Sequence, residues 1–124
     1  MIPLDQRFQK GVELFNQQKF FECHEIIEKL WLETNGPEKD FLKGMIQAAV
    51  ALHHLKHKNL SGAIELYRSA VRYLESYQPE ALGLDVLKLI EDLKSCFESF
   101  SNDKQKADLK KAQIPVARFH FRTD

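Results

Sequence analysis

The feature that most constrains this chain is a helical spacing of apolar residues that fills nearly every interval between its few breaking residues. The 124 residues include only five glycines and four prolines, and apolar side chains recur at i, i+4 and i+7 between them. No strand-like alternation appears before residue 114. The pattern predicts an all-α antiparallel bundle of five to six helices joined by short loops.

The same pattern predicts where the helices begin and end. A Gly36-Pro37 pair should separate the second helix from the third, because glycine suits a left-handed helix end and proline suits a first turn. A short polar helix over 104–111 and an extended tail should follow the fifth helix, and the whole chain, 1–124, should form one helical domain. The five main helices are expected over about 5–17, 20–34, 38–57, 59–77 and 85–100, with Asn59 or Ser61 as the cap of the fourth helix and Asp85 as the cap of the fifth.

Charge and cysteine content limit the partners and the compartment. Basic and acidic residues number 18 each, which argues against general binding to nucleic acid or to an anionic membrane. No apolar run reaches the roughly 18 residues of a membrane helix, and residues 1–7 do not resemble a signal peptide. Cys23 and Cys96 fall on apolar helical faces and are expected to be reduced and buried, so we expect a cytoplasmic protein.

The C-terminal tail differs in charge from the rest of the chain. Residues 101–124 hold six basic and three acidic residues, whereas residues 1–100 hold 12 basic and 15 acidic. Three large apolar side chains in the tail, Val116, Phe119 and Phe121, need a surface that buries them. We therefore expect the tail to pack on the body or to exchange between the subunits of a homo-oligomer.

A weak internal repeat suggests tetratricopeptide-like hairpins. Residues 23, 27 and 30 and residues 63, 67 and 70 share the spacing of the second helix of such a unit, and Gly11 stands where the unit has its glycine. The two segments are 40 residues apart, whereas that repeat has a period of about 34. The first two hairpins are therefore expected to be tetratricopeptide-like without making this a tetratricopeptide protein.

Two stretches are more specific than helix formation requires. They are residues 20–31, FFECHEIIEKLW, and residues 44–54, GMIQAAVALHH. With Gly11, Phe15 and residues 59–63, they resemble the domain of unknown function 309 family over about residues 6–77. The resemblance implies a small intracellular all-α bundle and implies no established activity. The region after about residue 80 lies outside the family motif.

The polar residues of these stretches suggest a metal site. His24 and Glu28 are four residues apart, so their side chains share one helix face, as in a HExxH zinc site whose second histidine is replaced here by glutamate. This replacement excludes a zincin. Antiparallel pairing should bring His53 within one turn of His24, while His54 shares a face with Gln47. These ligands would suit zinc, manganese or iron.

Structural explanations compete with the metal site. A histidine at the edge of an apolar face is often a hydrogen-bonded core residue, and a polar helix face is often simply solvated. His53, His54 and His57 also stand near a helix C-terminus, where positive charge is favourable without any ligand. Glu22, Glu25 and Glu28 form a slanted acidic ridge, which binds a cationic partner or is solvated. Trp31 is expected to anchor the core, with the wall of a ligand pocket as the alternative.

The sequence favours an interaction protein over an enzyme. It has no phosphate-binding glycine loop, no GxSxG motif and no CxxC pair, which excludes P-loop NTPases, α/β-hydrolases and thioredoxin-like proteins. The leading interpretation is a non-catalytic protein–protein interaction or scaffold module. The alternative is a metal-dependent or acid/base enzyme with its site between the second and third helices and Glu25 as the candidate base.

Overall fold

The computed structural model describes residues 4–101, and it is mostly helical. The predicted helix over 104–111 and the tail after it lie outside these residues. Five helices are described, with a 3-10 helix and a short hairpin between the last two. Their bounds are α1 Leu4–Asn16, α2 Phe20–Glu33, α3 Glu38–Lys56, α4 Leu60–Leu74, the 3-10 helix Glu75–Tyr77, β1 Glu80–Ala81, β2 Leu84–Asp85 and α5 Val86–Ser101.

The first four helices pack in chain order, α1 on α2, α2 on α3 and α3 on α4. Short turns make each pair antiparallel, and α3 lies between α2 and α4. The all-α expectation is therefore confirmed. None of the helices within residues 4–101 combines the length and the apolar character that crossing a membrane requires.

One core joins all five helices. The predicted apolar faces are buried: Phe8, Val12 and Phe15 of α1 are at most 1% exposed. Helix α3 contributes most of its circumference, as expected of a central helix. The other residues of the core come from every helix and from β2. The largest fully buried side chains of the core include Phe20, Ile27, Phe41, Leu52, Leu74 and Phe97.

Two glycines are required by the geometry of the chain. Gly36 has φ +115° in the turn between α2 and α3, a conformation that a side chain rarely adopts. Gly44 lies where α3 meets α4, and a Cβ added there would approach Leu74 Cγ and Cδ2 to 2.9 Å and Tyr73 Cβ to 3.0 Å. The small residue therefore sets how closely these two helices approach.

A hairpin before α5 departs from the sequence prediction, which placed no strand before the tail. Strands β1 and β2 pair antiparallel, and the two residues between them, Leu82 and Gly83, have φ of 49° and 80°. Positive φ at both positions is typical of a type I′ turn. Strands of two residues are too short to show an alternating pattern, so the hairpin was missed. The predicted cap of α5 is confirmed, because Asp85 Oδ1 accepts from the backbone N–H of Lys88 at 2.9 Å.

Candidate functional site

His24 is held in a defined orientation on α2. Its Nδ1–H donates to the carbonyl oxygen of Phe21 at 2.8 Å, because a carbonyl can only accept. This bond directs Nε2 toward Glu28, whose Oε2 lies 3.5 Å away. His24 is half-buried and Glu28 is exposed. The predicted pairing of these two side chains on one face is therefore present.

Helix α3 brings its histidines to the same place, as the antiparallel register predicted. The ring of Phe21 lies 5.0 Å from the ring of His24 and 5.7 Å from that of His53. The ring of His53 in turn lies 4.2 Å from that of His57 and 6.0 Å from that of His54. We call His24, His53, His54 and His57 the histidine patch.

The charge environment of the patch disfavours protonation of His53. Partial burial lowers the pKa of His53, and repulsion from the other three histidines of the patch lowers it further. The carboxylate of Glu22 acts in the opposite direction. His53 is thus neutral over a wider pH range than an isolated histidine, and a neutral imidazole can act as a ligand or as a hydrogen-bond acceptor.

The patch does not assemble a complete metal cage. Within residues 4–101, no group of three or more His, Cys, Asp or Glu side chains is placed to hold a metal ion. His24 Nε2 and Glu28 Oε2 nevertheless have a suitable separation, because two ligands of a tetrahedral zinc lie about 3.4 Å apart. The hydrogen bond between His24 Nδ1 and a backbone carbonyl is also of the kind that orients metal-binding histidines. The described residues therefore contain one pair of side chains at the separation of two metal ligands.

The remaining predicted polar residues are placed differently. Glu25 is exposed on α2. His54 faces the next turn, where its Nδ1 lies 3.4 Å from Nδ2 of Asn59. Gln47 is half-buried, and its Oε1 has no hydrogen-bond partner among the described residues. No hydrogen bond or ion pair among the described residues links the side chain of Glu25 or Gln47 to the His24–Glu28 pair.

Trp31 lies at the edge of the core. It packs against the buried cluster but remains partly exposed. The ammonium groups of Lys39 and Lys43 stand 4.2 and 4.8 Å from its ring centroid, and Lys39 also donates to the Trp31 carbonyl oxygen at 2.8 Å. The tryptophan thus joins α2 to the first turns of α3 through cation–π contacts.

The outer face of α2 is acidic, with an apolar side chain at each end. Residues 21, 25, 28 and 32 follow the i, i+4, i+7, i+11 spacing of one helix face. Phe21 is 51% exposed and Leu32 is 66% exposed, and Glu25 and Glu28 between them are exposed too. Glu22 lies beside this line. We call these five residues, Phe21, Glu22, Glu25, Glu28 and Leu32, the α2 ridge.

A shallow, open groove runs along the outer face of α4, and all the described residues that line it belong to this helix. Its apolar floor consists of Ile64, Tyr67 and Val71, which are partly or largely buried. Arg68 and Arg72 are exposed along one side, one helical turn apart. The lining residues, which we call the α4 groove, are Ser61, Ile64, Glu65, Tyr67, Arg68, Val71 and Arg72.

Tyr67 is held in place on the floor of the groove. Its ring stacks on Phe97 of α5, with a centroid distance of 4.5 Å and an interplanar angle of 7°. The stacking holds the ring in place without burying it. This part of the floor is therefore preformed, as in many binding surfaces.

Sequence reasoning missed the groove and two further residues. Sequence reasoning treated helix 4 only as a core helix, although arginines at i and i+4 beside an apolar face could have indicated the groove. It took His57 only as a favourable charge at the end of α3. Nothing in the sequence pattern indicated that Leu32 is exposed, because a leucine beside an apolar stripe is usually interpreted as buried.

Comparison with known proteins gives a family and two relatives. A family model described as "Domain of unknown function (DUF309)" matches residues 8–66. The chain is 39% identical to the "Uncharacterized protein YpuF" of Bacillus subtilis over 90 residues, which cover 70% of this chain and 52% of that protein. It is 34% identical to an "Uncharacterized protein" of Aquifex aeolicus over 58 residues, which cover 46% of this chain and 17% of that protein. The chain thus spans about half or less of the length of these relatives.

Proposed function

Since residues 8–66 belong to the DUF309 family, whose description assigns no activity, we propose a function from the surface of the chain itself. The chain is a non-catalytic interaction module that binds an acidic, apolar protein segment in the α4 groove. The observation that carries this proposal is the combination of an apolar floor with two exposed arginines on one side.

The groove has the chemistry of a helix-in-groove site. An amphipathic segment places its apolar face on the floor and its carboxylates beside the arginines. Ile64, Tyr67 and Val71 follow one another at i, i+3 and i+7, so they present a continuous line to such a segment. Arginine binds carboxylates in a bidentate geometry, which favours an acidic partner over a basic one.

A pair of designed peptides tests this function. The first is a 14-residue amphipathic helix with leucines on one face and glutamates beside them, and the second has lysines in place of the glutamates. NMR titration of the labelled protein should show shifts centred on the α4 groove, with the acidic peptide binding at least tenfold more tightly. An Arg68→Glu/Arg72→Glu variant should reverse the preference.

A variant with the same change of charge elsewhere provides the control. Lys10→Glu/Lys94→Glu alters two exposed lysines of α1 and α5 and should leave the peptide affinities unchanged. Equal affinity for the two peptides, or shifts that avoid the groove, would contradict the proposed function.

The His24–Glu28 pair supports a second candidate, a metal-dependent or acid/base enzyme. The specific observation is the orientation of His24, whose Nδ1 is bonded to a backbone carbonyl while Nε2 faces the carboxylate. His53 or His54 would complete the set of zinc, manganese or iron ligands, and Glu25 is the candidate base. Elemental analysis of the purified protein and thermal melts with chelator or added metal test this site.

Two variants make the metal test specific. His24→Ala should abolish metal content and remove the effect of chelator on the melt, whereas His57→Ala keeps both members of the pair and should retain the metal. If the wild-type protein carries no metal and no ion shifts its melting temperature, the metal-dependent form of this candidate fails.

Architecture and compartment complete the proposal. The hairpins α1–α2 and α3–α4 are tetratricopeptide-like, a proposal supported by their packing in chain order. The protein acts in the cytoplasm, as the buried thiols of Cys23 and Cys96 suit a reducing compartment. Imaging of a fluorescent fusion tests the compartment.

A further inference from the structure

We infer that the acidic segment bound by the α4 groove is the α2 ridge of a second copy of this chain. This inference rests on the proposed function, because it names the occupant of the same groove. It makes the protein a self-associating module whose two contact surfaces lie on different helices.

The two surfaces match in length. The α2 ridge extends from Phe21 to Leu32 and the α4 groove from Ser61 to Arg72, so each covers 11 residue steps. At 1.5 Å per residue, each is about 16 Å long. A single helix lying in the groove thus fills it from end to end.

The two surfaces also match in charge. The ridge exposes three glutamates, with Lys29 as an exposed basic neighbour, whereas the groove exposes two arginines and one glutamate. An antiparallel alignment of Phe21 with Arg72 brings Glu25 opposite Arg68 and Glu22 next to Arg72. This alignment also sets Glu28 against Glu65, whereas a parallel alignment sets Glu25 against Glu65 and pairs Glu28 with Arg68. Only the antiparallel arrangement adds the contact of Glu22 with Arg72, so it is favoured.

The apolar side chains give the association its anchors. Phe21 and Leu32 are the most exposed large apolar side chains on α2, and transferring them to the groove removes that surface from water. The floor of the groove offers Ile64, Tyr67 and Val71 as their contacts. Aromatic anchors of this kind commonly carry much of the energy of an interface.

The fold prevents one molecule from satisfying both surfaces by itself. Helix α3 packs against both α2 and α4, so its width separates the α2 ridge from the α4 groove of the same molecule. When the ridge of one molecule binds the groove of another, the resulting pair still has one unoccupied groove and one unoccupied ridge. Such heterologous contacts build open chains or rings rather than a closed two-fold dimer.

The C-terminal tail is a less suitable occupant. Residues 101–124 carry three more basic than acidic residues, and this excess opposes docking beside Arg68 and Arg72. The ridge has the opposite sign of charge. The groove is therefore assigned to the ridge of another copy.

Sedimentation velocity with two charge-reversal variants tests the inference. The wild-type protein should show an average mass that rises with concentration at low ionic strength and falls when salt is added. Glu22→Lys/Glu25→Lys disables the ridge and Arg68→Glu/Arg72→Glu disables the groove. Each variant alone should stay monomeric where the wild type associates, with its association weakened at least tenfold.

Mixing the two variants gives the decisive result. The ridge-disabled variant keeps its groove and the groove-disabled variant keeps its ridge, so an equimolar mixture should form a complex of twice the monomer mass and nothing larger. Glu13→Lys/Glu91→Lys changes net charge equally at exposed sites of α1 and α5 and should associate like the wild type. Circular dichroism spectra confirm that every variant is folded.

Three outcomes would overturn the inference. A wild-type protein that stays monomeric up to about 1 mM, or a mixture that forms no complex, excludes the ridge as occupant. Association that disappears when residues 112–124 are deleted but survives both charge reversals assigns the contact to the tail. If the wild type is monomeric but the acidic peptide still binds the groove, the proposed function stands and only self-association fails.

Discussion

The close approach of α3 and α4 at Gly44 gives the sharpest stability prediction. Alanine in place of Gly44 gains about 1 kcal/mol of helix propensity. The added methyl, however, would stand 2.9 Å from two atoms of Leu74 and 3.0 Å from Tyr73 Cβ. The contacted Cγ and Cβ atoms lie next to the backbone, so they yield little, and overpacking of this kind costs about 1–3 kcal/mol. Because three atoms of two side chains are crowded, we take the upper part of that range, about 2–3 kcal/mol, which leaves a net loss of about 1–2 kcal/mol in the free energy of unfolding.

Gly11 provides a matched comparison within α1. A Cβ there would approach Ile27 Cγ1 at 2.8 Å and Cδ1 at 3.0 Å. Both atoms belong to one side chain that can change rotamer, whereas Gly44 also faces Tyr73 Cβ, which no rotamer change can move. Gly11→Ala should therefore cost less than Gly44→Ala. Urea unfolding followed by circular dichroism measures both differences.

A double-mutant cycle identifies the contact responsible. In a Leu74→Ala background, most of the atoms that crowd the new methyl are absent, so Gly44→Ala should be nearly neutral there. The coupling between the two positions should be at least about 1 kcal/mol. If Gly44→Ala is as stable as the wild type, or if the cycle shows no coupling, steric control of the α3–α4 distance by Gly44 is refuted.

Three further predictions concern a helix cap, the thiols and the histidine patch. Asn59→Ala removes the side-chain bond to the Gly62 N–H, at 3.2 Å, and should lower stability by about 1 kcal/mol; Asn59→Asp should retain it, and equal losses in both would exclude capping. Burial raises the pKa of Cys23 to about 12 and that of Cys96 to about 11, so Ellman's reagent should label neither thiol until the protein unfolds; rapid labelling of the folded protein would contradict this. The pKa of His53 is lowered in the folded state, so the unfolded chain binds more protons and the free energy of unfolding should fall as pH drops below about 6.5; His53→Gln should reduce that slope, and an unchanged slope would argue against the lowered pKa.

The helical framework was predictable because the strongest signals in this chain are local. Phe8, Val12 and Phe15 identify the buried face of α1 by spacing alone, and Gly36-Pro37 identifies a helix boundary by backbone chemistry. The cap at Asn59 was one of two alternatives, and the structure selects it because the side chain accepts from Gly62 N–H. In each case a few neighbouring residues decide the conformation.

Features that depend on the whole fold were less predictable. The hairpin over 80–85 has two-residue strands and begins its turn with Leu82, a residue with no preference for positive φ. The exposure of Phe21 and Leu32 depends on what packs against α2, not on their spacing. Trp31 was expected to anchor the core, but two lysines on the next helix hold it at the edge.

The candidate site was likewise predictable only in part. The meeting of His24 with Glu28 and the nearness of His53 follow from helix period and antiparallel register. The complementarity of the α2 ridge and the α4 groove does not, because it requires knowing which faces of two separate helices remain uncovered. The spacing of charged residues in the sequence shows which helix face they share. Only the packed structure shows whether that face is exposed to solvent.

The position of Trp31 has a practical consequence for spectroscopy. It is the only tryptophan in the chain, so intrinsic fluorescence of the unmodified protein reports mainly on the junction of α2 with α3. Circular dichroism averages over every helix instead. Agreement between the two unfolding curves would indicate that the molecule melts as one cooperative unit, and an earlier fluorescence change would show that this junction opens before the rest.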